Sequence, residues 1–222
     1  MKITFIFSII ILLTLSFRIR TNITLPPIKT TKQDSTTNLN YQIYQFGHSG
    51  YRRFLSSWLW VATIIQSDEE HYKTRDLNSW MFHRFYTISI LEPKFYENYK
   101  FGALYLSVVK DDIPGASIMY EKGMQEYPED FNLWYDAGFH FRFEAKNLDK
   151  ARAIYQKLKE IPSNKHMVYT SLAKLEALNG NFKVAYEIAR EQYEKYKDNN
   201  SFLAAKFYNY MEEFKAKIKE GE

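Results

Sequence analysis

Near its C-terminus the chain places Leu203, Phe207, Met211, Phe214 and Ile218 on one stripe at helical spacing, with Lys and Glu opposite. Upstream, apolar and polar residues keep the same period in stretches separated by short polar turns. The pattern predicts helices over 50–66, 76–91, 95–110, 113–127, 131–145, 148–161, 165–179, 182–197 and 200–218. The loop "SDEEHYKTRDLNS" makes the first pair irregular. Within "FNLWYDAGFHFRFEAKNLDKA", residues 131–151, Gly138 falls in the middle of a helix, where glycine costs roughly 1 kcal/mol relative to alanine. Gly102 and Gly123 sit in similar stretches. A glycine so placed predicts close approach of another backbone.

The spacing repeats. Shifted by 35 residues, Tyr99 falls on Trp134, Gly102 on Ala137, Ala103 on Gly138 and Leu106 on Phe141. Ala116 then falls on Ala151 and Tyr120 on Tyr155; backwards, Pro128 falls on Pro93 and Tyr120 on Phe85. A shift of 34 brings Ala151 onto Ala185, and Trp134 is matched near Tyr169. The turns "DIPGA", "NLDKA" and "NFKVA" recur before Ala116, Ala151 and Ala185. A helix–turn–helix unit accounts for this: an aromatic opens the first helix, a Gly or Ala one turn later removes bulk, and the second helix crosses there with its own Ala at the contact. Asp112, Asn147 and Asn181 are placed as N-caps of the second helices, and Pro93, Pro128 and Pro162 mark ends, because proline cannot continue a helix interior.

"W-x-x-A-G-x-x-F" from Trp134 to Phe141, then Ala151-x-x-x-Tyr155 and Pro162, resembles the tetratricopeptide repeat (TPR), whose signature is W-x₂-L-G-x₂-Y…A-x₃-F…P. Ala137 replaces Leu, and the loop before Ala151 is one residue longer than usual. The unit around Tyr99 has Ala103 in place of Gly; the one around Tyr169 keeps Ala173 and Ala185 but has Ala189 where a large residue is expected. The resemblance covers roughly residues 75 to 197. It implies an all-α, right-handed α-solenoid over 49–199, with repeats near 95–128, 130–162 and 165–197, closed by a capping helix over 200–222. It also implies a generic protein-binding scaffold, because such repeats serve many partners.

The first twenty residues read differently. One Lys, an uncharged and mostly apolar run from Ile3 to Phe17, then Arg18 and Arg20 make residues 1–20 a signal-anchor or signal peptide. As a helix the run spans roughly 22 Å, against a hydrocarbon core of ~30 Å. Arg18 and the weak site Thr14-Leu15-Ser16 disfavour cleavage, so the reading is a single-pass inner-membrane anchor through residues 3–17; secretion after cleavage is the alternative. Charge counting with Lys2 against Arg18, Arg20, Lys29 and Lys32 favours a cytoplasmic body. The short N-tail and a resemblance to bacterial TPR proteins with an N-terminal membrane segment and a Trp-rich first helix ("SSWLWVATIIQ") favour a periplasmic one. Residues 21–48, Thr-rich with Pro26-Pro27, form a flexible linker.

Composition narrows function more than fold. Net charge is +4, with Lys and Glu alternating as on a solvated helix surface, which argues against nucleic acid. No cysteine is present, so neither disulfides nor thiolate metal sites arise. His48, His71, His83, His140 and His166 form no i,i+4 pair, and His140, between Phe139 and Phe141, reads as packed or surface. Asp111-Asp112 reads as a loop and cap, and no P-loop, G-x-G-x-x-G or G-x-S-x-G occurs. No catalytic residue, metal or cofactor is expected. In stacked repeats of this kind the first helices line the concave face, which places Lys100, Leu104, Tyr135, Phe139, Arg142, Thr170 and Lys174 in a partner-binding groove. Leu104, Tyr135 and Phe139 break the polar pattern of modules that clamp a terminal carboxylate. The expected function is a membrane-tethered scaffold for a protein partner or an envelope complex. Competing readings are a self-associating structural subunit, an RNA-binding helical-repeat protein resembling pentatricopeptide repeats, and a cell-wall enzyme.

Overall fold

Short polar turns with a capping side chain stop and restart the helix, and the helices that result pack back on one another. The structure, a computed structural model, describes Thr14 and residues 50–67, 79–161 and 166–220. The apolar run 3–17 (Thr14 apart), the expected linker 21–48, His48, His71 and Pro162 lie outside the described residues. The chain divides into two units, Met1–Thr37 and Asn38–Glu222. The described helices of the second are α1 Arg52–Ser67, α2 Trp80–Leu91, α3 Tyr96–Tyr105, α4 Ile113–Glu126, α5 Phe131–Phe143, α6 Leu148–Glu160, α7 His166–Leu178, α8 Phe182–Tyr196 and α9 Ser201–Glu220. Among the described residues the unit is all-α, with no strand. None of these helices is long and apolar enough to cross a membrane.

Each helix packs on its neighbours in sequence, and α2 also meets α4, as α3 meets α5. The core runs through these junctions. Tyr99, Ala103, Ala116, Tyr120, Phe141, Ala151, Tyr155, Ala173 and Ala185 are all buried in it. Trp134 is only half-buried and donates its indole N–H to the Tyr127 carbonyl at 3.1 Å. Pro128 stands in the exposed turn between α4 and α5. At the far end, α9 lies along α8 and buries Leu203, Phe207 and Phe214 of the expected stripe, with Met211 and Ile218 half-covered.

The three turns singled out in sequence are alike, each with a left-handed residue, Asp111, Lys146 or Gly180, just before the cap; the first two close six residues back and the third five. The carbonyls of Leu106, Phe141 and Glu176 accept from the N–H groups of Asp112, Asn147 and Asn181 at 2.9, 2.8 and 2.8 Å. The carbonyls of those three residues then accept from Ala116, Ala151 and Ala185 at 2.9, 3.0 and 3.0 Å. Asp112 and Asn147 cap through their side chains, accepting from Gly115 and Lys150. Asn181 does not. Its amide turns back and donates to Glu176 at 2.8 Å; that carboxylate, nearly enclosed and also held by Arg152 at 2.9 Å, makes a charge-assisted bond that holds the side chain away from the cap.

Two further details depart from expectation. The helix predicted over 95–110 becomes a π-helical turn over Leu106–Lys110, closed by Asp111 at a left-handed φ of 57°. At Gly138 the crossing helix α6 does come close, but it presents Tyr155 and Ile154 there, not Ala151. A Cβ on Gly138 would lie 3.0 Å from Tyr155 Cζ and 3.2 Å from Ile154 Cγ2.

Candidate partner-docking surface

Of the seven residues expected to line one groove, five line two separate depressions, Leu104, Tyr135 and Phe139 the first and Arg142 and Lys174 the second. The first, of about 160 Å³, lies between α3, its π-turn and α5. Leu104 and Val108 form one wall, Tyr135, Asp136, Phe139 and Glu144 the other, and Ser107, Tyr120 and His140 the floor. Phe101, Leu104 and Val108 follow one another at i, i+3 and i+7, all exposed, at 49%, 47% and 54%. Across from them Phe139 and Phe143, both 48% exposed, pair with ring centroids 4.6 Å apart. Contiguous exposed apolar surface of this kind marks interaction sites. Tyr135 is partly consumed by packing: it stacks on Phe131 and meets Tyr155 edge-on at 5.9 Å. Lys100 reaches over the rim to Asp136 at 3.7 Å.

Arg142 and Lys174 belong to the second depression, between α5, α7, α8 and α9. Thr170 borders neither; its hydroxyl donates to the His166 carbonyl at 3.2 Å, as helical threonines do. Sequence reasoning missed Phe101, Val108 and Phe143, although each lies three or four residues from a residue it had chosen on the same helix face.

His140 sits beneath the first depression, 1% exposed. Its Nδ1 is 3.0 Å from Ser107 Oγ and its Nε2 is 2.8 Å from Ser117 Oγ. Ser117 donates its one hydroxyl proton to the Ile113 carbonyl, so Nε2 carries the imidazole proton and Nδ1 accepts from Ser107. The ring thus joins the π-turn, α4 and α5. Burial pushes its pKa down to about 4, because a charged imidazolium would lose its hydration there.

That depression fixes a pH dependence. With the folded pKa lowered from 6.5 to about 4, the unfolded chain takes up a proton that the folded chain refuses. Stability therefore falls as pH drops from about 6.5 to about 4 and levels off below, a loss on the order of 3 kcal/mol from this residue. Urea titrations at stepped pH should show this slope in the wild type and its flattening in His140→Gln; an unchanged slope in the variant would remove His140 as its source.

Among the described residues no cluster of three or more His, Cys, Asp or Glu could hold a metal ion. His83 is exposed and His166 half-buried, and Asp111 and Asp112 serve as C-cap and N-cap of successive segments. The chemistry on offer at the first depression is apolar contact with a polar rim.

No known family model and no curated protein matches this chain.

Proposed function

We propose that residues 49–199 form a right-handed α-solenoid of TPR-like helix pairs, tethered to a membrane by residues 3–17, that holds a partner protein without catalysing a reaction. The repeated turn geometry before Ala116, Ala151 and Ala185 supports the repeat reading, as do the contacts of α2 with α4 and of α3 with α5. The observation that carries the functional reading is the exposed apolar surface of Leu104, Val108 and Phe139 at a depression, with Phe101 and Phe143 exposed on the same helices. A partner would cover these rings and leave the rim of Lys100, Asp136 and Glu144 wet. The uncharged, mostly apolar run 3–17 supports the tether.

Phe139→Asp tests the reading. Both faces of the substitution are simple: the ring is half exposed, so the fold tolerates the change, while a carboxylate in the middle of an apolar contact does not find a partner. Cross-linked complexes recovered from membranes should lose their partner by roughly thirtyfold, the loss of a central anchor worth about 2 kcal/mol. If the partner is a second copy of this chain, the same variant lowers the mass seen by light scattering. Undiminished recovery of every cross-linked species, with unchanged mass, counts against docking on this face.

A further inference from the structure

The second depression has a different chemistry. Its volume is about 310 Å³, and Ala177, Leu178, Phe182 and Phe214 give it an apolar wall. Arg142, Lys174, Lys217 and Glu213 supply its charge. Lys217 is compensated, bonded to Glu220 at 2.7 Å. Arg142 and Lys174 are not: among the described residues neither pairs with a carboxylate. The Arg142 guanidinium lies over the Phe143 ring at 4.7 Å, and its Nε is buried with no acceptor. The Lys174 ammonium lies 5.2 Å from the Tyr210 ring centre.

We infer that this depression binds a small amphiphile with one anionic head group, a carboxylate, on a medium-length apolar chain. A guanidinium presents the donors that a carboxylate accepts, and among the described residues no carboxylate takes those of Arg142. Glu213 in the same wall disfavours a doubly charged head, because like charges in contact repel. Octanoate, a medium-length chain, is the probe for an open space of about 310 Å³. Leu178, 63% exposed, and the buried Phe214 ring give the alkyl chain its contact.

Calorimetric titration of the full-length protein with octanoate tests the inference, with any partition into a carrier cancelled by titrating each variant under identical conditions. A ligand of this size in a shallow site should bind with a Kd of about 0.1–1 mM. Acetate, which lacks the chain, and octanol, which lacks the charge, should each bind at least tenfold more weakly, and octyl phosphate no more tightly than octanoate. Arg142→Gln and Lys174→Gln should each weaken octanoate about tenfold. Lys174 is exposed, so its variant keeps its fold and decides the matter should the Arg142 variant not. Octanol binding as well as octanoate, undiminished binding in Lys174→Gln, or binding of an acidic peptide in place of octanoate would each overturn the assignment.

Discussion

Replacing Asp112 with alanine should lower the melting temperature of the body by roughly 10 °C, the equivalent of about 3–4 kcal/mol in a unit of this size. The carboxylate is fully buried and accepts three hydrogen bonds. The Ser79 N–H and Ser79 hydroxyl donate to Oδ2 at 3.0 and 2.9 Å, and the Gly115 N–H donates to Oδ1 at 2.9 Å. Ser79 in turn caps α2 by accepting from Phe82 at 3.2 Å. One side chain therefore secures the start of two helices, and its loss strands buried donors, each costing about 1 kcal/mol or more. Asp112→Asn keeps an acceptor oxygen and should lose about half as much. Gly115 belongs to the same device: a Cβ there would lie 2.7 Å from Asp112 Oδ2. Gly115→Ala should thus destabilise the wild type but do little in the Asp112→Ala background. Thermal melts of the four proteins measure the coupling, and simple additivity would show that the carboxylate is not what Gly115 accommodates.

The second large effect is at Gly123. A Cβ built there would fall 2.8 Å from Tyr99 Cβ and 3.1 Å from Leu133 Cδ2. The first of these is bonded directly to the backbone of α3, so it cannot swing aside, and helices α3 and α4 must separate. Gly123→Ala should cost about 2–3 kcal/mol, at the upper end of overpacking effects, even though alanine is the better helix former. Gly138→Ala should cost less, about 1 kcal/mol or below, since its nearest neighbour at 3.0 Å is the far edge of the Tyr155 ring. Denaturant midpoints of the two variants decide the ranking; equal losses, or a larger one at Gly138, would contradict the packing geometry.

This ranking reverses the emphasis that the sequence invites. Gly138 draws notice there because it sits in the repeat signature beside Trp134 and Phe141, whereas Gly123 interrupts a second helix with no motif around it. The close-approach argument is sound for both, and for Gly102, whose Cβ would meet the Phe85 ring at 3.2 Å. What spacing cannot supply is the identity of the opposing atom. A ring edge yields by rotating; a Cβ does not.

The docking surface divides in the same way. The resemblance to stacked repeats places Leu104 and Phe139 in a groove, and the structure leaves both half exposed at the first depression. Arg142 lies three residues after Phe139 on the same helix, yet α7 and α9 draw it into a different depression with Lys174. Thr170, chosen by the same count, borders neither.

What the chain alone determines is local: helix period, turn positions, which residues cap, and which small residues recur at 34 or 35. These follow from hydrogen bonds and sterics within a few residues of one another, so Asp112 and Asn147 are readable as caps without coordinates. Tertiary structure decides whatever depends on a residue from another helix. Asn181 turns away from its cap because Arg152 helps hold Glu176 beside it, and His140 is kept neutral because Ser107 and Ser117 arrive from separate segments to enclose it. Packing brings those partners together from 23 to 33 residues away, a distance over which no periodicity in the sequence records which side chain meets which.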